Sequence, residues 1–316
     1  MPGKYTTKGL PPPPDVSMAT IPMSGLLVDV YGLSELKPSV PVTCLHLLHT
    51  RHGTRARMSD IASRVVHAYN ASQNASSRGL IAVAFDMPNH GSRMVSEKGN
   101  ETWQKGNEMH AVDMMAMVAG AGRDMAGVMD LVEGYIGREV DAHVCLGWSL
   151  GGHAAWQGWM KEARLDAVVV VVGCPDFMEL MSRRAKNSKL DLEGSEDFLG
   201  SKFFPPSLIS TCLKNDPRGI LFGRNPPSST GDTEPGFDLS GPKGKKLLLV
   251  SGADDKLVPH KVGVPFIEAV RARGVDVDER VYEGVGHAFS GDMVNDVVDF
   301  LVEAVTKGPR QEKAKI

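Results

Sequence analysis

The chain of 316 residues has few cysteines, few aromatic residues and no surplus of either charge. Four cysteines do not make a disulfide framework. Cys44, Cys145 and Cys174 sit in or at the end of apolar, strand-like runs, where a reduced thiol packs as a small hydrophobe. This usage points to a reducing compartment and a cytoplasmic address. Lys and Arg number 35 against 38 Asp and Glu, a formal charge of −3, so no broad cationic surface is available to neutralise phosphates. That argues against nucleic acid as a main partner. No apolar run approaches the ~20 residues of a membrane-spanning helix. The opening Met1 to Asp15, with its Pro11 to Pro14 run, lacks the apolar core of a secretory leader. At the other end, Ala314-Lys315-Ile316 is a distant form of a peroxisomal tripeptide with Ile where Leu is usual, and the basic stretch from Lys307 otherwise reads as a solvated tail. Nothing in the sequence sets the oligomeric state.

What is present is an ordinary globular balance, 42% hydrophobic and 23% charged, enough for a sizeable core. From residue 24 onward short β-rich runs alternate with longer helical stretches, which predicts an α/β fold with a mostly parallel central sheet flanked by helices. The expected strands are Gly25 to Val30, Val40 to Leu48, Leu80 to Phe85, Asp141 to Leu146, Ala167 to Val172, Lys246 to Ser251 and Val277 to Glu283. Ser59 is placed to cap a helix whose Ile61, Val65 and Tyr69 form one stripe, and Asn107 to cap a longer one. A last helix is expected from Gly291 to Lys307. Six methionines between 109 and 129 are read as irregular core packing.

These elements divide the chain into an N-terminal, Pro-rich extension (1–23), a core (24–172 and 241–307), an insertion (173–240) and a basic tail (308–316). The insertion breaks the alternation with Pro205-Pro206, Pro226-Pro227 and a Ser-Ser-Thr-Gly stretch. It also holds six of the ten phenylalanines, at 177, 198, 203, 204, 222 and 237. Such enrichment predicts a lid with a satellite core that also walls an apolar pocket.

The chemistry concentrates in Gly147-Trp148-Ser149-Leu150-Gly151-Gly152, which follows an apolar strand and precedes a helical stretch. A serine on so sharp a turn projects its hydroxyl from the carboxyl edge of the sheet, and small residues two positions either side prevent collisions. The helix N-terminus beyond it supplies free N–H groups, so the Leu150 N–H can stabilise an oxyanion. A serine hydroxyl needs a base, and the base an orienting carboxylate. Gly252-Ala253-Asp254-Asp255-Lys256-Leu257-Val258-Pro259 begins where one strand ends, and Gly284-Val285-Gly286-His287-Ala288-Phe289 follows the next, so an acid and a histidine are offered at the same edge in the order Ser, Asp, His.

On these motifs the chain resembles the α/β-hydrolase family over roughly residues 24 to 307. The resemblance implies a serine hydrolase with Ser149 as nucleophile, Asp255 as acid and His287 as base. Asp254 and Asp176 stand as rivals for the acid. Phe85 to Arg93 is similar to a structural turn of that family; together with Asn107 to Met114 and Gly173 to Asp176 it resembles a group of fungal intracellular hydrolases. Where relatives read His-Gly-x after the corresponding strand, this chain reads His49-Thr50-Arg51-His52-Gly53. Alignment puts Arg51 at the second oxyanion donor, and its guanidinium is also suited to a substrate carboxylate or phosphate.

The implied reaction is hydrolysis of a carboxylic ester, or of a thioester, through an acyl-enzyme, with no cofactor and no metal. Acyl transfer on the same three residues is the alternative. Trp148, Phe177, Phe203 and Phe204 are the expected contacts to a small, largely apolar ester or thioester. Two other readings compete. Arg51-His52-Gly53-Thr54-Arg55 matches the R-H-G-x-R pattern of histidine phosphatases, in which the histidine carries phosphate, and a hydrolase fold can also persist as a non-catalytic ligand receptor. The spacing of His46, His49 and His52 suggests metal ligands, but His46 lies in a strand, where residues three apart face opposite sides.

Overall fold

The computed structural model describes residues 9–72, 77–192, 197–228, 239, 242 and 244–309; Phe237 and the C-terminal tripeptide lie outside these. Eight strands form one sheet in the order β1-β2-β4-β3-β5-β6-β7-β8. They are β1 (Met18–Met23), β2 (Leu26–Tyr31), β3 (Val42–Leu48), β4 (Gly79–Phe85), β5 (Val140–Trp148), β6 (Leu165–Val171), β7 (Lys246–Gly252) and β8 (Val277–Tyr282). The β1–β2 and β2–β4 pairs are antiparallel, and the remaining pairs are parallel.

The parallel strands are apolar on both alternations because both faces are covered. In β4, Ile81, Val83 and Phe85 join one buried cluster while Leu80, Ala82 and Ala84 join the other. Helices α1 (Ser59–Ala71) and α8 (Gly291–Lys307) cover the second face; α2 (His110–Ile136), α3 (Leu150–Lys161) and α7 (Val264–Ala272) cover the first. Each fully buried Val, Leu or Phe adds about 1.5–3 kcal/mol. In α8 the buried Met293, Val294, Val297, Leu301, Ala304 and Val305 trace one stripe, and the Ser290 hydroxyl accepts from the Met293 N–H to cap it. The α2 methionines 114, 115, 117, 125 and 129 are buried in the first cluster. None of the helices among the described residues is long and apolar enough to cross a membrane.

Several sequence expectations shift. Met18–Met23, read as part of an N-terminal extension, is an edge strand, joined to β2 by Ser24 and Gly25 with φ of +51° and +78°. Two left-handed residues in a two-residue loop match the right-handed twist of a hairpin. The strand escapes detection because it is largely exposed and carries Pro22, which an edge tolerates. Ser59 does not cap α1; a 3-10 turn, Arg55–Met58, leads into it. Asn107 instead accepts the Met109 N–H just before α2 and donates to Asp113.

The segment after β6 contributes α4 (Phe177–Ser188), α5 (Pro206–Asn215) and α6 (Pro217–Phe222). Its described aromatic residues build no separate core. Phe177, Phe203, Phe204 and Phe222 share one buried cluster with α2, α3 and α7, and Phe222 meets Phe266 of α7 edge-on at 6.1 Å.

Candidate active site

Ser149 stands between β5 and α3 with φ +57° and ψ −108°, a conformation a non-glycine residue holds only where the surroundings impose it. They do so from both sides. The Ser149 N–H donates to the Val171 carbonyl (2.8 Å), and the Ser149 carbonyl accepts from the His153 N–H (3.1 Å). The close approach requires glycine: a Cβ on Gly147 would lie 2.0 Å from the Gly151 carbonyl oxygen, and one on Gly151 would lie 2.1 Å from that of Leu48. The Gly151 N–H also donates to the His49 carbonyl (3.0 Å), tying the start of α3 to the loop after β3.

Ser149 Oγ lies 2.8 Å from His287 Nε2, and His287 Nδ1 lies 2.7 Å from Asp255 Oδ2. The carboxylate beside Nδ1 fixes the tautomer with the proton there, leaving the Nε2 lone pair to accept from the serine hydroxyl. Asp255 is buried, and its Oδ1 accepts from the N–H groups of Leu257 (2.8 Å) and Val258 (2.9 Å). The acid loop is bound to the histidine loop by the Asp254 N–H donating to the Val285 carbonyl and the Ala253 N–H to that of Tyr282.

The two rival acids are placed elsewhere. The Asp254 side chain is exposed. Asp176 caps α4 by accepting from the Glu179 N–H (3.0 Å) and faces Arg218 at 3.6 Å.

Leu150 is the first residue of α3, so its N–H has no intrahelical acceptor. Across from it, the Gly53 N–H donates to the Thr50 carbonyl and closes a turn with His52 at φ +61°. His49 donates from Nδ1 to the Thr50 carbonyl and accepts the Met87 N–H at Nε2. Burial pushes its pKa down to about 4, so it is neutral. Arg51 is half-buried and donates to the Asn100 carbonyl (3.2 Å).

The phosphatase-like pattern does not assemble. Arg55 is ion-paired to Asp29 (3.1 Å) and Asp86 (2.6 Å), Arg51 turns to Asn100, and His52 is exposed between them. His46, His49 and His52 likewise do not converge: His46 bonds His143, His49 bonds Thr50 and Met87, and His52 is exposed. One close trio of metal-capable atoms exists among the described residues, Cys44, His46 and His143, all within 4.8 Å. Its two imidazoles already bond each other (3.1 Å), and burial pushes the Cys44 thiol far up, against the thiolate a metal needs.

Of the expected substrate contacts, Trp148 packs under the sheet against Phe289 (5.6 Å), with the Arg57 guanidinium 4.8 Å from its ring centre. Phe177 and Phe204 are spent on each other (6.3 Å) and on packing around them. Phe203 alone of the four lines an open cleft of about 830 Å³, together with Trp103, Met109, Met117 and Leu190. Sequence reasoning missed Arg184 and His110. Arg184, half-buried on α4, donates to the Leu257 carbonyl from Nε (3.3 Å) and Nη2 (3.1 Å). His110 meets Trp103 edge-on at 4.9 Å.

A family profile described as "Alpha/beta hydrolase family" matches residues 47–300. The chain belongs to the alpha/beta hydrolase family. Among solved structures it is similar to TT1662 from Thermus thermophilus, at 19% identity and a TM-score of 0.61 over 92% of this chain and 98% of that one. It is also similar to the esterase Pf2001 of Pyrococcus furiosus, at 14% identity and a TM-score of 0.50 over 93% of this chain and 92% of that one. An acylaminoacyl peptidase from Pyrococcus horikoshii shares 12% identity and a TM-score of 0.56 over 98% of this chain and 43% of that longer one. At such identities the likeness is one of fold. No curated protein matches by sequence.

Proposed function

We propose that this hydrolase cleaves a carboxylic ester of a small, largely apolar substrate through an acyl-enzyme. The observation that carries the reading is the unbroken run of hydrogen bonds from Ser149 through His287 to Asp255, at a strained turn opening a helix. In this scheme Ser149 Oγ attacks the carbonyl carbon as its proton passes to His287 Nε2, and Asp255 stabilises the imidazolium. The oxyanion is received by the Leu150 N–H and by a backbone donor of the Thr50–Gly53 turn, for which Arg51 is the proposed residue; one such donor contributes roughly 3 kcal/mol in other enzymes. His287 returns its proton to the departing alkoxide. Water, deprotonated by the same imidazole, then releases the acid and restores Ser149.

The same residues would cleave a thioester or pass the acyl group to another nucleophile. Support for a partly apolar substrate comes from Trp103, Met109, Met117, Leu190 and Phe203 in a cleft whose other walls include Lys98, Glu108 and Asp113. A panel of a nitrophenyl ester, a thioester and a phosphomonoester separates the readings. Turnover of the first or second, abolished in Ser149→Ala and kept in His52→Ala, is expected. Turnover of the phosphomonoester alone, lost in His52→Ala, would replace this scheme with the phosphatase one.

A further inference from the structure

Arg51, in the loop after β3, and Arg184, on α4, each hold a guanidinium that no carboxylate neutralises among the described residues. Arg51, two residues past the His49 carbonyl that anchors Gly151, makes one hydrogen bond, to the Asn100 carbonyl. Arg184 reaches from α4 to the Leu257 carbonyl, on the residue whose N–H holds Asp255, and to Met114 Sδ on α2 (3.2 Å). Among the described residues neither forms an ion pair. The acid nearest in influence to Arg51 is Glu101, which is ion-paired to Lys105 (3.0 Å); the acid nearest in influence to Arg184 is Asp255, which is engaged by His287 and two N–H groups.

The two charges also lie close enough to act on each other. Burial first, then the Arg51 charge, brings Arg184 down to about 10. His110 feels both: burial, Arg51 and Arg184 push it down to about 3, and its buried Nδ1 has no partner. Two like charges that act on each other in a half-buried setting destabilise an empty site. A bidentate oxyanion relieves the repulsion and matches the planar guanidinium fork. Arg184 and Asp255 line one cleft of about 830 Å³, so the Arg184 guanidinium is open to a ligand next to the acid.

We infer that the substrate carries a carboxylate, and that Arg51 and Arg184 receive it beside Ser149. The inference rests on the hydrolase reading and narrows it to an apolar ester with one anionic end. The guanidinium groups of Arg51 and Arg184 then set specificity and take no part in bond cleavage, a role separate from that of the Arg51 backbone N–H.

Two pairs of esters test it. The 4-nitrophenyl hemiester of glutarate against 4-nitrophenyl valerate places the charge on the acyl chain; 4-carboxyphenyl valerate against phenyl valerate places it on the leaving group. In at least one pair the charged ester is expected to win in kcat/KM by roughly 10- to 100-fold, the range for hydrogen bonds to a charged group. That ratio should collapse toward one in Arg51→Met and Arg184→Met, and Arg184→Lys should keep part of it. Working with ratios removes any general loss from imperfect folding. A ratio of one or below in both pairs, or a preference that survives in both Met variants, overturns the inference. Failure of the hydrolase reading is distinguished by titrating glutarate into Ser149→Ala: binding lost on adding Arg184→Met upholds the anion site even where no ester is cleaved, and absence of binding counts against it.

Discussion

Phe289 meets Trp148 edge-on, ring centres 5.6 Å apart, and these two rings join the loops that carry His287 and Ser149. Trp148 precedes the serine and Phe289 follows the histidine by two residues, so the imidazole is held over the hydroxyl by packing as well as by hydrogen bonds. Both rings are nearly inaccessible, in the cluster shared with α1 and α8. Phe289→Ala should destabilise the fold by about 3–5 kcal/mol in urea unfolding. Phe289→Leu should cost about 1 kcal/mol yet lower kcat on a nitrophenyl ester by more than it raises KM. Equal loss of stability and no change in kcat would show that the contact does not position His287.

Asp255 and its exposed neighbour Asp254 make a clean contrast. Asp255→Asn keeps a side chain of the same size but permits the wrong imidazole tautomer, and kcat should fall by about 10⁴. Asp254→Asn should stay within about twofold of wild type. Comparable losses in the two variants would remove Asp255 from its assigned role.

Buried imidazoles set the acid limit of stability. Burial holds His49 at about 4 and His153 at about 4; burial together with the two arginine charges holds His110 at about 3. In the unfolded chain these groups titrate near 6.5. Below that pH the unfolded state binds more protons, so their contribution is whole above about 6.5 and is lost as pH falls toward the folded values, by up to about 1.4 kcal/mol per pH unit for each group. Urea midpoints should therefore decline between pH 6.5 and 5, before most carboxylates titrate. His110→Phe, which keeps the edge contact with Trp103, should shallow the decline. A flat midpoint across that window would contradict the assignment.

Glycines separate close packing from empty space. Gly147→Ala drives a Cβ to 2.0 Å from a backbone oxygen, so it should fail to fold or lose all hydrolytic activity. Gly122→Ala, within α2 and with nothing inside 4 Å of the new atom, should raise stability by about 0.5–1 kcal/mol in the same assay. The reverse order would mean that the turn around Ser149 is not built as described.

Much of this architecture was legible because local signals and long-range order agree. The strands of the parallel sheet are apolar on both faces, and Ser149, Asp255 and His287 each sit where a strand has just ended, so reading the strands brings the three to one edge. Legibility failed where neighbours distant in sequence decide the outcome. Arg184 looks like any charge on a helix until α4 is seen to reach the Leu257 carbonyl, 73 residues away. Phe177 and Phe204 have the composition of a pocket wall, and only their mutual contact reveals them as packing. The edge strand β1 has Pro22 and exposed side chains, which carry no periodic signal.

The most direct test of the central claim is covalent labelling by a fluorophosphonate, followed by peptide mapping. The Ser149 Oγ adduct is expected in the folded wild-type protein, with labelling abolished in Ser149→Ala and strongly slowed in His287→Ala. An unlabelled Ser149 in protein shown to be folded by its unfolding transition, or equal labelling of wild type and Ser149→Ala, would contradict it.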